Sequence, residues 1–310
     1  MNPKSILIDD SNAGLRLDKV VAQALGLGRG PVRRLFDERR VRVDGRVGVK
    51  GDVLAAGARV EVSLPDAPED GAALPEASPE RPLVVLVETA DVVVVDKPAG
   101  QASAPLRPGE TGTVANALVG RYPEMAGVGF HPREPGLLHR LDTGTSGVLV
   151  AARSVDVFAT LSGALKAGRI EKYYLAVVED EEMPESGFVD IPLAPHPKDS
   201  RRVLACLHPR DVERLEPRFA STEYRVERRA AGRALVRVRA PKALRHQIRA
   251  HLSAIGCPIV GDELYGAKPL PGFGRHALHA AFVGWSGGGG DVAAFEARSP
   301  LPAELEALLG

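Results

Sequence analysis

The sequence predicts an α+β protein in two parts: a small α/β module, then a larger domain around a largely antiparallel or mixed β-sheet with flanking helices. Three observations predict it. From Leu83 onward, β-branched runs (LVVLVE, VVVVDKP, YYLAVVE, ALVRVRA) are interspersed with helical stretches, without the regular strand–helix repeat of a parallel sheet. Residues 14–64 carry their own helix-and-strand pattern. Between the two lies PDAPEDGAALPEASPERP, residues 65–82, rich in Pro, Ala and acids and almost without large apolar residues, which reads as an extended linker. The expected organisation is a module at 14–64, a linker at 65–82 and a main domain at 83–310, and 310 residues suffice for two cores.

In the module, LDKVVAQAL places Leu17, Val20, Val21, Ala24 and Leu25 at helical spacing. GPVRRLFDERR follows, with Pro31 suited to a first helical turn and Val32, Leu35 and Phe36 on one face. Arg33 and Arg34 are left near each other and largely outside. VRVDGRV alternates around Asp44-Gly45, a tight-hairpin signal, and GARVEVSL supplies another strand. In the main domain, helices are expected at VANALVGRY, VFATLSGALKAG, LRHQIRAHLSAIG and PAELEALL, with FVDIPLA as a further strand and Gly287–Gly290 as a loop.

The net formal charge is zero, but its distribution is uneven. Residues 14–64 hold eleven Lys/Arg against six acids, whereas residues 65–82 hold one Arg against five acids. A basic module beside an acidic linker points to a polyanionic partner more strongly than the total suggests. No apolar run approaches the roughly 20 residues of a membrane helix. MNPKSILIDD lacks a signal-peptide core, and Cys206 and Cys257 form no CxxC pair. The expectation is a cytoplasmic protein with no membrane partner, and a monomer.

The chemistry concentrates in HRLDTGTSGVLVAARS, His139 to Ser154. A single carboxylate, Asp142, sits between His139-Arg140 and a turn of small residues, Thr143 to Gly147, with an apolar run behind. A lone acid on a rigid element, ringed by donors and glycines, suits a carboxylate nucleophile or base. A second cluster is LRHQIRAHLSAIGCPIVGDELYG, residues 244–266. His246 and His251 are five apart and do not share a helix face, and His276 and His279 lack companion ligands, so no metal site is expected. No P-loop and no Gly-rich dinucleotide fingerprint occurs.

These segments resemble the RluA-like RNA pseudouridine synthases. Lys97-Pro98-Ala99-Gly100 fits that family's Lys-Pro-x-Gly turn, HRLDTGTSG its HRLD-x-x-TSG signature, and Tyr174 the tyrosine before Leu-Ala in EKYYLAVVE. HQIR-x-H, Gly-x-Pro-Ile and Gly-Asp-x-x-Tyr-Gly all recur between His246 and Gly266. The resemblance implies that Asp142 is the catalytic aspartate and Arg249 its ion-pair partner. It also implies that Tyr174 stacks on the target uracil and Arg140 fills the space a flipped base vacates. His139, Lys97, His246 and Gln247 are implied to contact RNA. The order helix, Arg-rich helix, hairpin, strand resembles the S4-like RNA-binding domain, with Arg33, Arg34 and Arg40 reaching phosphates. One segment departs from the pattern: Ala243-Leu244 stand where the family has Gly-Arg, which bears on RNA contacts and substrate choice.

The implied reaction converts uridine to pseudouridine, most readily in large-subunit ribosomal RNA, with transfer RNA as the alternative. It exchanges no electrons and adds no group, so no cofactor is required. Asp142 would either attack the anomeric carbon or remove a ribose proton. A non-catalytic RNA-binding protein and a glycoside hydrolase are the competing readings; the latter wants a second carboxylate about 5–9 Å away, which no motif marks.

Overall fold

The computed structural model describes residues 4–9, 12–25, 29–63, 74–180, 182–241, 244–288 and 292–310. The chain divides into two compact units, Met1–Ala72 and Ala73–Gly310. Residue 64 of the expected module, residues 65–73 of the expected linker, residues 242–243 of the departing segment and residues 289–290 of the expected glycine loop lie outside the described residues.

The first unit contains β1 (Lys4–Leu7), α1 (Leu17–Leu25), α2 (Arg29–Asp37), β2 (Val41–Val43), β3 (Arg46–Val47) and β4 (Arg59–Val62). Its four-stranded sheet has the order β1-β4-β2-β3, every pair antiparallel. Leu17, Val20 and Val21 of α1, Val32 and Leu35 of α2, and Val41, Val60 and Val62 of the sheet form one buried cluster. The two helices close one face of the sheet because their apolar positions recur every three or four residues. The β2–β3 turn needs two consecutive left-handed residues, which Asp44 (φ 47°) and Gly45 (φ 79°) supply. Asp44 also accepts a bond from the Arg59 amide at 3.0 Å, tying the hairpin to β4.

The second unit contains β5 (Val84–Glu88), β6 (Val92–Lys97), α3 (Val114–Arg121), β7 (Ser146–Ala152), α4 (Val155–Lys166), β8 (Glu171–Glu179), β9 (Ser186–Asp190), β10 (Leu193–Pro195) and β11 (Val203–Ala205). It continues with α5 (Pro209–Leu215), β12 (Ser221–Ala230), β13 (Arg233–Arg239), α6 (Gln247–Ala254), β14 (Leu278–Trp285), β15 (Phe295–Arg298) and α7 (Ala303–Glu306). Nine strands form one mixed sheet, β5-β6-β7-β14-β8-β13-β12-β9, with β15 also on β14. Among the described residues only β7 and β14 run parallel; the other neighbours are antiparallel.

The central strands are buried on both faces, which is why they read as unbroken apolar runs. Val93 and Val95 of β6 and Leu149 and Ala151 of β7 pack into one cluster. Val92, Val94, Val148 and Val150, on the opposite face, pack against Phe158 and Leu161 of α4. The parallel contact of β7 with β14 is made at Ser146 and Gly147. Gly147 sits at φ 109°, and a Cβ there would lie 2.1 Å from the Ala280 carbonyl oxygen, so only glycine admits this close approach. The expected helix over Leu244–Gly256 begins later, at Gln247, because His246 adopts a left-handed backbone (φ 53°) that a helix cannot contain.

Candidate active site

Asp142 lies in the loop that enters β7, at the sheet's central parallel pair. Its backbone carbonyl accepts the Thr145 amide at 2.9 Å, closing a tight turn. Thr145 Oγ1 shares a 2.8 Å hydrogen bond with His276 Nε2, and a Cβ on Gly144 would meet the same ring at 2.8 Å. The turn is therefore packed directly on His276, and Arg275 Nη1 donates to the Gly144 carbonyl at 3.0 Å. On its other side, Ser103 Oγ donates to the Leu141 carbonyl at 2.8 Å and accepts the Leu141 amide at 3.0 Å. The residue before Asp142 is thus held by a reciprocal pair of bonds.

The carboxylate borders a cavity of about 860 Å³ whose wall also includes Tyr174, His246, Arg249, His276 and Leu278. Arg249 Nη1 donates to Asp142 Oδ2 at 2.9 Å, and His246 Nε2 is 3.6 Å from the same oxygen. Among the described residues both contacts fall on Oδ2, and the side chain keeps 27% of its surface exposed. Burial alone would raise the Asp142 pKa. The charges of His246 and Arg249 and the Arg249 hydrogen bond outweigh it, so the pKa is lowered and the group is an anion at neutral pH. His246 is itself pushed down by burial despite its carboxylate neighbour, which leaves Arg249 as the permanent cation.

Arg249 is buried and two-sided. Its Nε and Nη2 donate to Asp262 at 2.6 and 2.8 Å while Nη1 faces Asp142, and its guanidinium lies 5.0 Å from the Tyr265 ring centroid. The Tyr265 hydroxyl in turn meets His246 Nδ1 at 3.0 Å. Asp262, Tyr265, His276 and Ser103 received no role from the sequence, although Gly-Asp-x-x-Tyr-Gly marked the first two. Tyr174 sits on β8 between Ala280 of β14 and Val238 of β13. Burial, followed by the Asp142 charge, pushes its pKa up to about 12, so it is a neutral phenol. Tyr173, on the opposite face, stacks on Phe282.

Of the expected RNA contacts in this unit, His139, Arg140, His246 and Gln247 line the cavity and Lys97 lies behind it. Lys97 is 1% exposed and donates to the carbonyls of Pro98, Gln101 and Thr143 at 3.0, 2.7 and 3.3 Å. Its ammonium holds the loop together rather than facing a ligand. Gln247 is buried, accepts the Leu244 amide at 3.0 Å and donates to Ser221 O and Thr222 Oγ1, so it anchors the start of α6. His139 borders the cavity, but burial, with a smaller contribution from Lys172, lowers its pKa to about 3; it is neutral and carries no charge for a phosphate. His246 faces Asp142 across the cavity wall. Arg140 is 54% exposed at the cavity edge, with Nη1 on Glu134 at 2.8 Å. In the first unit Arg33 and Arg40 pair with Asp37 and Glu38, partly or largely exposed, and Arg34 lies on the same helix as Arg33.

Residues 91–254 match the family model described as RNA pseudouridylate synthase. An uncharacterized RNA pseudouridine synthase of Mycobacterium bovis is 33% identical over 99% of this chain and 97% of its own length. The ribosomal large subunit pseudouridine synthase D of Yersinia pestis is 33% identical over 90% of this chain and 85% of its own. The solved structure of the human RNA pseudouridylate synthase domain containing 1 shares the fold, with a TM-score of 0.57 at 23% identity over 76% of this chain and 90% of that one.

Proposed function

Because this chain belongs to the RNA pseudouridine synthase family, we propose that it isomerises specific uridines of large-subunit ribosomal RNA to pseudouridine, with Asp142 as the catalytic carboxylate. The 2.9 Å contact of Asp142 with Arg249 at the cavity wall carries the reading. It keeps one carboxylate ionised and oriented where a nucleotide can enter. The ribosomal substrate is favoured because relatives from Yersinia pestis, Xanthomonas campestris and Nitrosomonas europaea are named as ribosomal large subunit enzymes.

A base must leave its stack to reach Asp142, at a cost of a few kcal/mol. Arg140 offsets part of this by occupying the vacated position, and the Tyr174 ring receives the uracil face. The bond from the ribose to ring nitrogen then breaks, the uracil turns, and its C5 bonds to the same ribose carbon. The proton lost from C5 balances the one gained at nitrogen. Asp142 either attacks the anomeric carbon, as the nucleophile of a retaining glycosidase does, or removes a ribose proton to give a glycal-like intermediate. Arg249 orients the carboxylate in both routes, and the reaction needs no cofactor. The first unit acts as an S4-like RNA-holding module through Arg33, Arg34 and Arg40. The protein works as a cytoplasmic monomer.

The test is pseudouridine mapping on unmodified large-subunit ribosomal RNA and on transfer RNA, each incubated with wild-type protein or Asp142→Asn. New pseudouridine in ribosomal RNA with wild type alone is the expected result. Modification of transfer RNA alone would reassign the substrate, and none in either would overturn the reading.

A further inference from the structure

Among the described residues, the cavity that holds Asp142 has one exposed apolar side chain on its edge, Leu106, 72% exposed. The other exposed cavity side chains among the described residues are Arg140, Thr143 and Arg245. Arg140 is tethered to Glu134, and Arg245 to the carbonyls of Ser200 and Arg201 at 2.8 and 2.6 Å. A single exposed leucine is ordinary on a protein surface. This one is held in place by its own backbone.

Leu106 stands near the tip of a closed loop. Its amide and that of Arg107 are accepted by Glu110 Oε2 at 2.7 and 3.3 Å, and Pro105 and Pro108 flank the pair, limiting backbone freedom. The loop is shut at its base by Gln101 Nε2 donating to the Gly112 carbonyl at 3.1 Å and by the Val114 amide donating to Ala102 at 3.0 Å. Ser103, three residues before Leu106, makes the reciprocal bonds to Leu141. The tip is therefore set relative to Asp142 through one short path: Leu106, Ser103, Leu141, Asp142.

On the reading that the cavity receives a flipped uridine, we propose that Leu106 packs on the base flanking that uridine and holds the RNA open at the step where it was unstacked. The chemistry favours a nucleobase as the occupant. Unstacking exposes an apolar base face, and a rigidly presented leucine with cationic Arg140 on the same rim matches a base step beside phosphates. Apolar wedges of this type stabilise opened steps because they bury base surface that water would otherwise meet.

The experiment compares Leu106→Ala and Leu106→Met with wild type on transcribed large-subunit ribosomal RNA. KM and kcat come from pseudouridine formation. Equilibrium RNA binding is measured by filter retention with the same substitutions on the Asp142→Asn background. Leu106→Ala should raise KM and Kd roughly tenfold, the size expected for losing most of a buried leucine. Leu106→Met should restore most of the loss. A Leu106→Ala protein that binds RNA within twofold of its parent overturns the proposal whether or not pseudouridine forms. Failure of the functional reading would appear instead as absence of product with wild type, so the two failures are distinguishable.

Discussion

Asp262 grips Arg249 along one edge of the guanidinium, Nε at 2.6 Å and Nη2 at 2.8 Å, and this leaves Nη1 to reach Asp142 at 2.9 Å. The grip is bidentate and buried, so the arginine has one orientation. Asp262 is thus a positioning residue that acts on the carboxylate through the cation. Replacing Asp262 with Asn removes a charge from a buried pair and frees the guanidinium to rotate. Turnover is expected to fall about a hundredfold, the cost of an ångström-scale misplacement. The melting temperature should fall too, because Arg249 keeps its charge with only Asp142 to offset it. Steady-state kinetics and a thermal melt on the same preparation check both, and an Asp262→Asn enzyme with full kcat would remove the assigned role.

The depressed Asp142 pKa sets the sign of the acid limb. Asp142 is active as an anion, so kcat/KM should fall only as pH drops through its lowered pKa, below the usual carboxylate value of about 4. Arg249→Lys keeps a positive charge but cannot donate to Asp142 and grip Asp262 with two parallel bonds at once. Burial then weighs more heavily, the pKa rises, and activity near pH 5 is lost before activity near pH 8. A pH–rate profile for the two proteins is the measurement. Superimposable acid limbs would show that Arg249 does not govern the ionisation.

Tyr174 offers two separable contributions, a ring and a hydroxyl. With its pKa near 12 the hydroxyl is protonated throughout the working range. Any proton it moves from the rejoined base therefore passes through a neutral phenol or an ordered water, not through a standing phenolate. Tyr174→Phe retains the stacking face and should bind RNA within a few-fold of wild type while turning over at least about a hundredfold more slowly. Tyr174→Leu loses the ring as well and should weaken binding. Filter binding beside single-turnover rates separates the two. Equal turnover by Tyr174→Phe and wild type would leave the ring as the whole contribution.

Strands and helices whose sequence matches a simple period were legible, and the groups that act across the sheet were not. VVVVDK and YYLAVVE declare themselves because β-branched residues crowd a two-faced buried strand. β14, LHAAFVGW, does not: its Ala-Ala pair and initial His-Ala give no clear period, although every residue but Gly284 is buried. The motif carrying Asp142 and Arg249 was visible, and so was their pairing by resemblance. The surroundings of three neighbouring residues were less legible. The resemblance implies RNA contacts for Lys97, Gln247 and His139, but the bonds that hold the first two come from partners distant in sequence, Thr143 for Lys97 and Ser221 and Thr222 for Gln247, and burial, with a smaller contribution from Lys172, is what keeps His139 neutral. The same reason hid Ser103, whose role depends on Leu141, 38 positions away. Local pattern reports which face a residue occupies, whereas satisfaction of a buried polar atom is decided by the tertiary fold.

Lys97 yields a stability prediction with a definite sign. Burial, the dominant cause, lowers its pKa to about 8 from 10.5, so the unfolded chain binds its proton more tightly than the folded one. Folding therefore carries a penalty that is fully present below pH 8 and is relieved as pH rises toward 10.5. Lys172, also near 8 through burial, adds to the same trend. Above about pH 10 the trend reverses, because Tyr122 and Tyr174, both raised to about 12, ionise first in the unfolded chain. Stability measured by urea titration should thus rise between pH 8 and 10 and then decline. The charge penalty does not make Lys97 dispensable. Lys97→Met would take this donor from the carbonyls of Pro98 and Gln101, while the Thr143 carbonyl keeps the Gly100 amide at 2.8 Å, and by the cost of buried unsatisfied acceptors should destabilise the protein by about 2 kcal/mol. It should also remove part of the rise between pH 8 and 10. A Lys97→Met protein as stable as wild type at pH 7, with an unchanged pH dependence, would contradict the structural role assigned to this ammonium.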